Sequence, residues 1–176
     1  MERFEPPIPV VPSTEEYDAT QKAPYCFQRS FFAFQNTREA VQAALDANEI
    51  TEDCLTIDIY KPEVSEGAGI LFWIHGGGFM YGGAGLFDGI EQVKRGNIVV
   101  IIQYRLALFG FMNLYNPETQ TTVGGNYGLM DQQLALKYTY DNAENMGGDQ
   151  NKITINGGSI GAMSVALQML NDDSSK

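Results

Sequence analysis

The chain has 176 residues, of which 44% are hydrophobic and 11% aromatic, so it is long and apolar enough to form a core. Its 22 acidic and 11 basic residues give a net charge of −11, which argues against nucleic acid or an anionic membrane surface as a partner. No apolar run approaches the ~18 residues of a membrane span, and the first residues lack the apolar core of a signal peptide.

The first third of the chain is predicted to contain little regular structure. Residues 1–30 carry five prolines, a composition typical of an extended arm on a surface. Residues 37–49 have the pattern of a short helix capped by Thr37. Residues 54–60 alternate between apolar and polar side chains, which predicts a half-buried strand.

The rest of the chain alternates between strand and helix patterns. Two continuous apolar runs, over 69–75 and 97–104, predict strands buried on both faces, and 85–96 between them predicts a helix closed by Gly96. This alternation predicts an α/β fold with a largely parallel sheet, whose functional residues follow the carboxyl ends of the strands. The remaining predicted elements are a helix within 126–148, with Asn126 as N-cap and Gly147 as stop, a strand over 152–156 and a helix over 161–170.

Two cysteines, Cys26 and Cys54, leave two interpretations open on spacing alone. They are either two free buried thiols or a disulfide. A disulfide here would close a loop of about 29 residues, stabilise the chain by roughly 3.5 kcal/mol and indicate an oxidising compartment.

The pentapeptide Gly157-Gly158-Ser159-Ile160-Gly161 joins a predicted strand to a predicted helix. In this context a G-x-S-x-G pattern indicates a nucleophilic serine on a sharp turn, since the glycines let strand and helix pass closely. Two alternatives are a plain glycine-rich turn with a capping serine and a phosphate-binding turn. The second is disfavoured because no G-x-x-x-x-G-K-[ST] or G-x-G-x-x-G motif is present.

A second glycine-rich segment, "WIHGGGF" over 73–79, ends the earlier buried strand. Its glycines allow the N–H groups of Gly77 and Gly78 to point into a site. Together with the N–H of Ile160 they would form an oxyanion hole of three donors. The pairing of the two motifs disfavours the plain-turn interpretation.

The single histidine, His75, is the one imidazole available as a general base. Its place at a strand end, beside the predicted oxyanion loop, favours a structural role instead. We therefore expect His75 and Gly76 to support the oxyanion loop.

These motifs, in this order and spacing, resemble the type-B carboxylesterase and cholinesterase family. The resemblance runs over nearly the whole chain, from the proline-rich arm to the serine turn. The matching segments are "RFEPPIP", "EDCLTIDIYKP", "ILFWIHGGGF", "GNYGLMDQQLAL", "NMGGD" and "KITINGGSIGAMSV".

The resemblance implies an α/β-hydrolase fold, with a mostly parallel sheet and helices on both faces, truncated at both ends. It implies hydrolysis of a small-molecule carboxylic ester through an acyl-enzyme. Ser159 would be the nucleophile, and Gly77, Gly78 and Ile160 would donate to the oxyanion. No cofactor or metal is expected.

The resemblance also implies three structural pairings, which are Cys26–Cys54, Arg3–Glu52 and Arg105–Asp131. The ion pairs are expected to stabilise the fold without touching the chemistry. The disulfide implies a secreted protein, or one in the endoplasmic reticulum lumen.

Several residues depart from the family pattern. Gly158 stands where a glutamate is usual, which bears on rate and on the preference for cationic substrates, and Ile160 replaces an alanine beside the oxyanion hole. The other departures are Ser13, Ala107 and Gln150.

Residues 1–176 match only the N-terminal portion of a type-B domain and end just after the serine turn. In this fold the triad acid and histidine follow the serine, so both are expected beyond Lys176, and the chain alone is expected to be inactive. Two alternatives are a non-catalytic cholinesterase-like adhesion domain, which would bind a protein partner, and a non-functional gene fragment.

Overall fold

The computed structural model describes residues 3–20, 23–28, 47 and 49–171. The helix predicted over 37–49 lies almost wholly outside these residues. The strands are β1 (Tyr25–Cys26), β2 (Ile50–Thr51), β3 (Ile57–Tyr60), β4 (Ala68–Ile74), β5 (Ile98–Ile102), β6 (Asn113–Asn116), β7 (Thr121–Gly124) and β8 (Gly148–Gly157). The helices are α1 (Ile90–Val93), α2 (Ala107–Phe111), α3 (Tyr127–Asp141) and α4 (Ile160–Met169), with a 3-10 turn at Ala84–Leu86.

The central sheet has the strand order β3-β5-β4-β8. Strand β4 is parallel to both β5 and β8, while β3 is antiparallel to β5. All five residues of β5 are buried, as its unbroken apolar sequence predicts. The prediction of a mostly parallel sheet is therefore confirmed, with the half-buried strand β3 as its antiparallel edge.

Apolar side chains cover both faces of this sheet. On one face, Ile98 and Val100 pack in the main core with Leu136 of α3 and Val165 of α4. On the other face, a smaller cluster surrounds Val99, with partners from β4 and from the segment before α1. The alternation of side chains along β5 accounts for these two layers.

The single helix predicted over 85–96 is wrong. The chain forms the 3-10 turn, then becomes extended at Phe87 and begins α1 only at Ile90. A Cβ on Gly89 would lie 2.8 Å from Val99 Cβ, so tight packing on β5 fixes this bend. The periodicity of the segment carries no signal of that contact.

The hairpin of β6 and β7 was not predicted. All four residues of β6 and most of β7 are exposed, so the hairpin has no apolar alternation that a sequence pattern could reveal. The arm over 6–20 has no helix or strand and is largely exposed, in agreement with prediction.

The three implied structural pairings are present in the structure. Cys26 and Cys54 form a buried disulfide, and Arg3 forms an ion pair with Glu52. The pair between Arg105 and Asp131 is buried and bidentate, with N–O distances of 2.8 and 2.7 Å. The backbone N–H of Arg105 also donates to Asp131 Oδ2 at 3.0 Å. This network ties the end of β5 to α3.

We predict that Asp131→Asn lowers the free energy of unfolding by about 3–5 kcal/mol, because the variant leaves the buried Arg105 guanidinium without its counter-charge. Asp141→Asn is the matched control on the same helix, since the Lys137–Asp141 pair is exposed. That control is expected to change stability by less than about 0.5 kcal/mol. Urea denaturation measures the free energy of unfolding of both variants. Equal decreases in the two would contradict a greater contribution from the buried pair.

Candidate active site

Ser159 occupies a strained turn between β8 and α4. Its backbone has φ 55° and ψ −123°, a combination that L-residues rarely adopt, and the residue is exposed. The surrounding structure holds this strain and presents the hydroxyl at the start of a ten-residue helix. The positive end of the helix dipole favours negative charge at this place.

The two outer glycines of the pentapeptide are required by close packing. A Cβ on Gly161 would lie 2.1 Å from Ile74 O, and a Cβ on Gly157 would lie 2.5 Å from the Gly161 carbonyl carbon. A Cβ on Gly158, by contrast, would meet only the Trp73 ring, at 3.5 Å. The steric reason given for the outer glycines is therefore confirmed, while the middle position has room for a side chain.

We predict that Gly161→Ala destabilises the chain by about 1–3 kcal/mol or more, because its methyl group overlaps the β4 backbone. Gly158→Ala, at the middle glycine just before the serine, is the matched control and should be nearly neutral, because a Cβ there meets only the Trp73 ring, at 3.5 Å. Thermal unfolding compares the two variants. If Gly158→Ala lowered the melting temperature as much as Gly161→Ala, the contact of residue 161 with Ile74 O could not be the reason that glycine is required there.

The segment after β4, residues 75–83, forms a loop that we call the oxyanion loop, after its proposed role. Gly77, Gly78 and Phe79 follow one another with φ of 114°, 64° and 62°. The N–H groups of Met80 and Tyr81 donate to Gly77 O at 3.0 and 3.2 Å, which closes the loop into a tight turn. Glycine is required at 77, since a Cβ there would lie 1.8 Å from Tyr81 O.

The oxyanion loop lies against the serine turn. Strand β4 pairs with β8 so that Ile74 is opposite Gly157, and both strands end at this point. A Cβ on Gly76 would be 2.8 Å from Gly158 O and 3.2 Å from Ser159 Cβ. The sheet therefore brings the two glycine-rich motifs into contact.

The three N–H groups predicted as oxyanion donors belong to Gly77, Gly78 and Ile160. Across the part of the chain that the structure describes, none of them donates a hydrogen bond. Most N–H groups in folded chains are paired, so three unpaired donors on adjoining turns leave hydrogen-bonding capacity for a ligand. This arrangement can stabilise negative charge that develops on an oxygen held beside Ser159.

His75 is fully buried at the base of the oxyanion loop. Its Nδ1 donates to Gly76 O at 2.8 Å, and its ring stacks on Tyr104 with centroids 4.3 Å apart. The Tyr104 hydroxyl donates to His75 O at 2.9 Å. Burial lowers the pKa of His75 to about 4, so the imidazole is neutral near pH 7. His75 and Gly76 are therefore in contact at the start of the loop, and their supporting role stays a prediction.

Protonation of His75 should weaken the fold in acid. Because its pKa falls from 6.5 to about 4 on folding, the unfolded chain binds the proton more readily, and stability is lost as pH falls through this window. The contribution is on the order of 3 kcal/mol. His75→Asn can keep a donor near Gly76 O but does not titrate. Its free energy of unfolding, measured by urea denaturation, should therefore fall less than the parent's between pH 6.5 and about pH 4. An equal fall in the two proteins would contradict the role given to His75 protonation.

Sequence analysis missed two residues that support the oxyanion loop. Tyr104 ends the apolar run over 97–104, so its burial was predictable, but its hydrogen bond to His75 O was not. Gln28 is 1% exposed and bonds to both backbone groups of Gly82. Glutamine is ordinarily a surface residue, so a single sequence gives no signal for this contact.

No cluster of three or more histidine, cysteine, aspartate or glutamate side chains that could hold a metal ion occurs among the described residues. None of the helices in the described ranges is long and apolar enough to cross a membrane.

The chain is similar in sequence and in fold to known proteins. The sequence model of the Carboxylesterase family matches residues 1–176. Gut esterase 1 of Caenorhabditis elegans is 40% identical over 93% of this chain and 27% of its own length. Liver carboxylesterase 1 of Oryctolagus cuniculus is 35% identical over 96% of the chain and 30% of its own length.

A similar solved structure is that of PNB esterase, with a TM-score of 0.80 and 32% identity over 98% of this chain. The alignment covers 34% of that protein, so this chain spans about a third of the length of the relatives it matches. The similarity identifies the fold as that of the esterases, the α/β-hydrolase fold.

Proposed function

Because this chain belongs to the carboxylesterase family, we propose that it carries the nucleophile and the oxyanion hole of a carboxylic ester hydrolase, with Ser159 as the nucleophile. One observation carries the proposal: the exposed, strained Ser159 lies against Gly76, and the N–H groups of the next two loop residues and of Ile160 have no acceptor within the described residues. A capping serine in a plain turn would require neither feature.

The proposed reaction begins with attack of Ser159 Oγ on the ester carbonyl carbon, while a general base takes the Oγ proton. The carbonyl oxygen becomes an oxyanion, which accepts hydrogen bonds from the N–H groups of Gly77, Gly78 and Ile160. Collapse of this intermediate expels the alcohol, which takes up the proton, and leaves an acyl-serine. Water then attacks the acyl-serine and releases the acid.

We propose that the general base lies outside residues 1–176. His75 is the single histidine of the chain, and its Nδ1 is occupied by Gly76 O while the ring is sealed against Tyr104. No hydrogen bond joins His75 to Ser159 in the described ranges. The 176-residue polypeptide should therefore acylate slowly and show no useful turnover, since losing the base removes several orders of magnitude in rate.

The substrate class is a small-molecule carboxylic ester, and the mechanism requires no cofactor or metal. Gly158 leaves the space beside Trp73 free of a carboxylate, so we expect no preference for cationic esters. The buried Cys26–Cys54 disulfide supports a location outside the cell or in the endoplasmic reticulum lumen, where disulfides persist.

Labelling with a fluorophosphonate probe tests the nucleophile without requiring turnover. We expect mass spectrometry to find the phosphonyl group on Ser159 of the 176-residue chain, because the turn and the oxyanion donors retain a rate advantage of about 10³ over water. Ser159→Ala should abolish this modification, whereas Ser13→Ala, a change of an exposed serine on the arm, should not.

Labelling spread over several serines would contradict the proposed nucleophile. Absence of labelling, in a chain that binds a protein partner, would favour the alternative of a non-catalytic, adhesion-type domain. Sustained p-nitrophenyl acetate hydrolysis by the 176-residue chain, abolished by Ser159→Ala, would contradict the placement of the base outside the chain.

A further inference from the structure

The geometry points to Gln28 as a positioning residue for the oxyanion loop, held in place by the Cys26–Cys54 disulfide. Its catalytic meaning rests on the function proposed above. That Gln28 fixes the direction of the Gly77 N–H can be tested by hydrogen exchange, which does not require catalysis.

The Gln28 side chain forms a two-sided bridge to one glycine of the loop. Its Nε2 donates to Gly82 O at 2.8 Å, and its Oε1 accepts from Gly82 N at 2.9 Å. The same Nε2 donates to Cys26 O at 3.1 Å. A buried amide destabilises a fold unless its groups are paired, and here both N–H donors and the oxygen of Gln28 have partners.

Gly82, near the end of the oxyanion loop, is in direct contact with the first residues of that loop. Its φ is 127°, and a Cβ there would lie 2.5 Å from His75 Nδ1 and 2.6 Å from Gly76 O. The Gly82 backbone therefore packs against the hydrogen bond between His75 and Gly76. No other residue type fits between Gln28 and that bond.

The bond from His75 Nδ1 to Gly76 O determines where one oxyanion donor points. A peptide group is planar and trans, so its C=O and the following N–H point in opposite directions. When Gly76 O is held toward His75, the N–H of Gly77 must point away from His75. Displacement of Gly82 would free this peptide to rotate.

A second buried glutamine, Gln103, forms a similar bridge at Ala84, two residues after Gly82. Gln103 Nε2 donates to Pro24 O at 3.1 Å, and its Oε1 accepts from Ala84 N at 3.3 Å. Gln28 and Gln103 together tie the end of the oxyanion loop to the 24–28 segment.

The disulfide anchors the 24–28 segment to the rest of the fold. Strands β1 and β2 are only two residues long, so their pairing alone holds the segment weakly. Cys54 lies two residues before Thr56, whose carbonyl accepts from Gln103 N at 3.0 Å beside the central sheet. The covalent bond from Cys26 to Cys54 thus makes the segment a fixed support for Gln28.

Hydrogen exchange of the 176-residue chain, read by NMR or high-resolution mass spectrometry, tests the positioning role. The reporters are the N–H groups of Met80, Tyr81 and Gly82, and β5 is the internal reference. We expect Gln28→Ala to raise reporter exchange about tenfold or more while β5 stays protected. Gln132→Ala is the matched control, since Gln132 is equally buried but contacts Ser164 of α4.

Gln28→Glu keeps the size of the side chain and changes only its hydrogen bonding to Gly82. It therefore separates the positioning of Gly82 from the filling of space, and it is the variant to use if Gln28→Ala does not fold. A buried carboxyl has a raised pKa; its protonated form can both donate to Gly82 O and accept from Gly82 N. We expect reporter protection factors near the parent's at about pH 5.5 and a loss at about pH 8. His75, which packs on Gly82, stays neutral at both values, because its pKa is about 4.

Reduction of the disulfide should raise reporter exchange in the parent chain, with less effect on the Gln28→Ala variant, whose bridge is already absent. Phosphonylation of Ser159 should slow about tenfold in Gln28→Ala. Faster reporter exchange without Ser159 labelling in any chain would support the positioning role while contradicting the proposed function. Unchanged reporter exchange in Gln28→Ala, or pH-independent protection in Gln28→Glu, would overturn the positioning role.

Discussion

The arrangement of this site depends on one close contact, the passage of Gly161 over the carbonyl of Ile74. No side chain fits there, since even a Cβ at 161 would be 2.1 Å from that oxygen. The contact fixes α4 against the end of β4, and the helix in turn forces Ser159 into its strained conformation. Because Ile74 is paired with Gly157, the same contact also sets the serine turn beside the oxyanion loop. The proposed nucleophile and its proposed donors therefore share one structural origin.

The oxyanion loop is held by buried polar groups instead of by apolar packing alone. Three consecutive residues with positive φ would be unstable in isolation, so the loop needs external support. That support comes from His75, which donates to Gly76 O, and from Gln28, which bonds to both backbone groups of Gly82. Buried polar groups destabilise a fold when they are unpaired, but when they are paired they favour one arrangement of the chain. Such support suits a loop in which the N–H groups of Gly77 and Gly78 are proposed to stay unpaired and to keep a fixed direction. The disulfide belongs to the same support, because it fixes the segment that carries Gln28.

The sequence predicts those parts of the structure whose physics is local. The unbroken apolar runs identified β4 and β5, and the two glycine motifs identified the turns, because glycine has few other reasons to recur in such places. The helix predicted over 85–96 failed since Gly89 packs on Val99, a contact between distant positions. The bridge from Gln28 to Gly82 spans 54 positions in sequence, and nothing near residue 28 indicates it. Apart from the ion pairs Arg3–Glu52 and Arg105–Asp131, which the family resemblance implied, long-range polar contacts were thus the part that sequence reasoning could not supply.

The proposed nucleophile and its oxyanion donors can be tested together by a crystal structure of the chain after reaction with a phosphonate, which imitates the tetrahedral intermediate. We expect a covalent bond from Ser159 Oγ to phosphorus, with one phosphonyl oxygen about 2.7–3.1 Å from the N atoms of Gly77, Gly78 and Ile160. A phosphonate bound to Ser159 whose oxygens point away from these three groups would contradict the oxyanion hole. A phosphonate attached to any other residue would contradict the nucleophile itself.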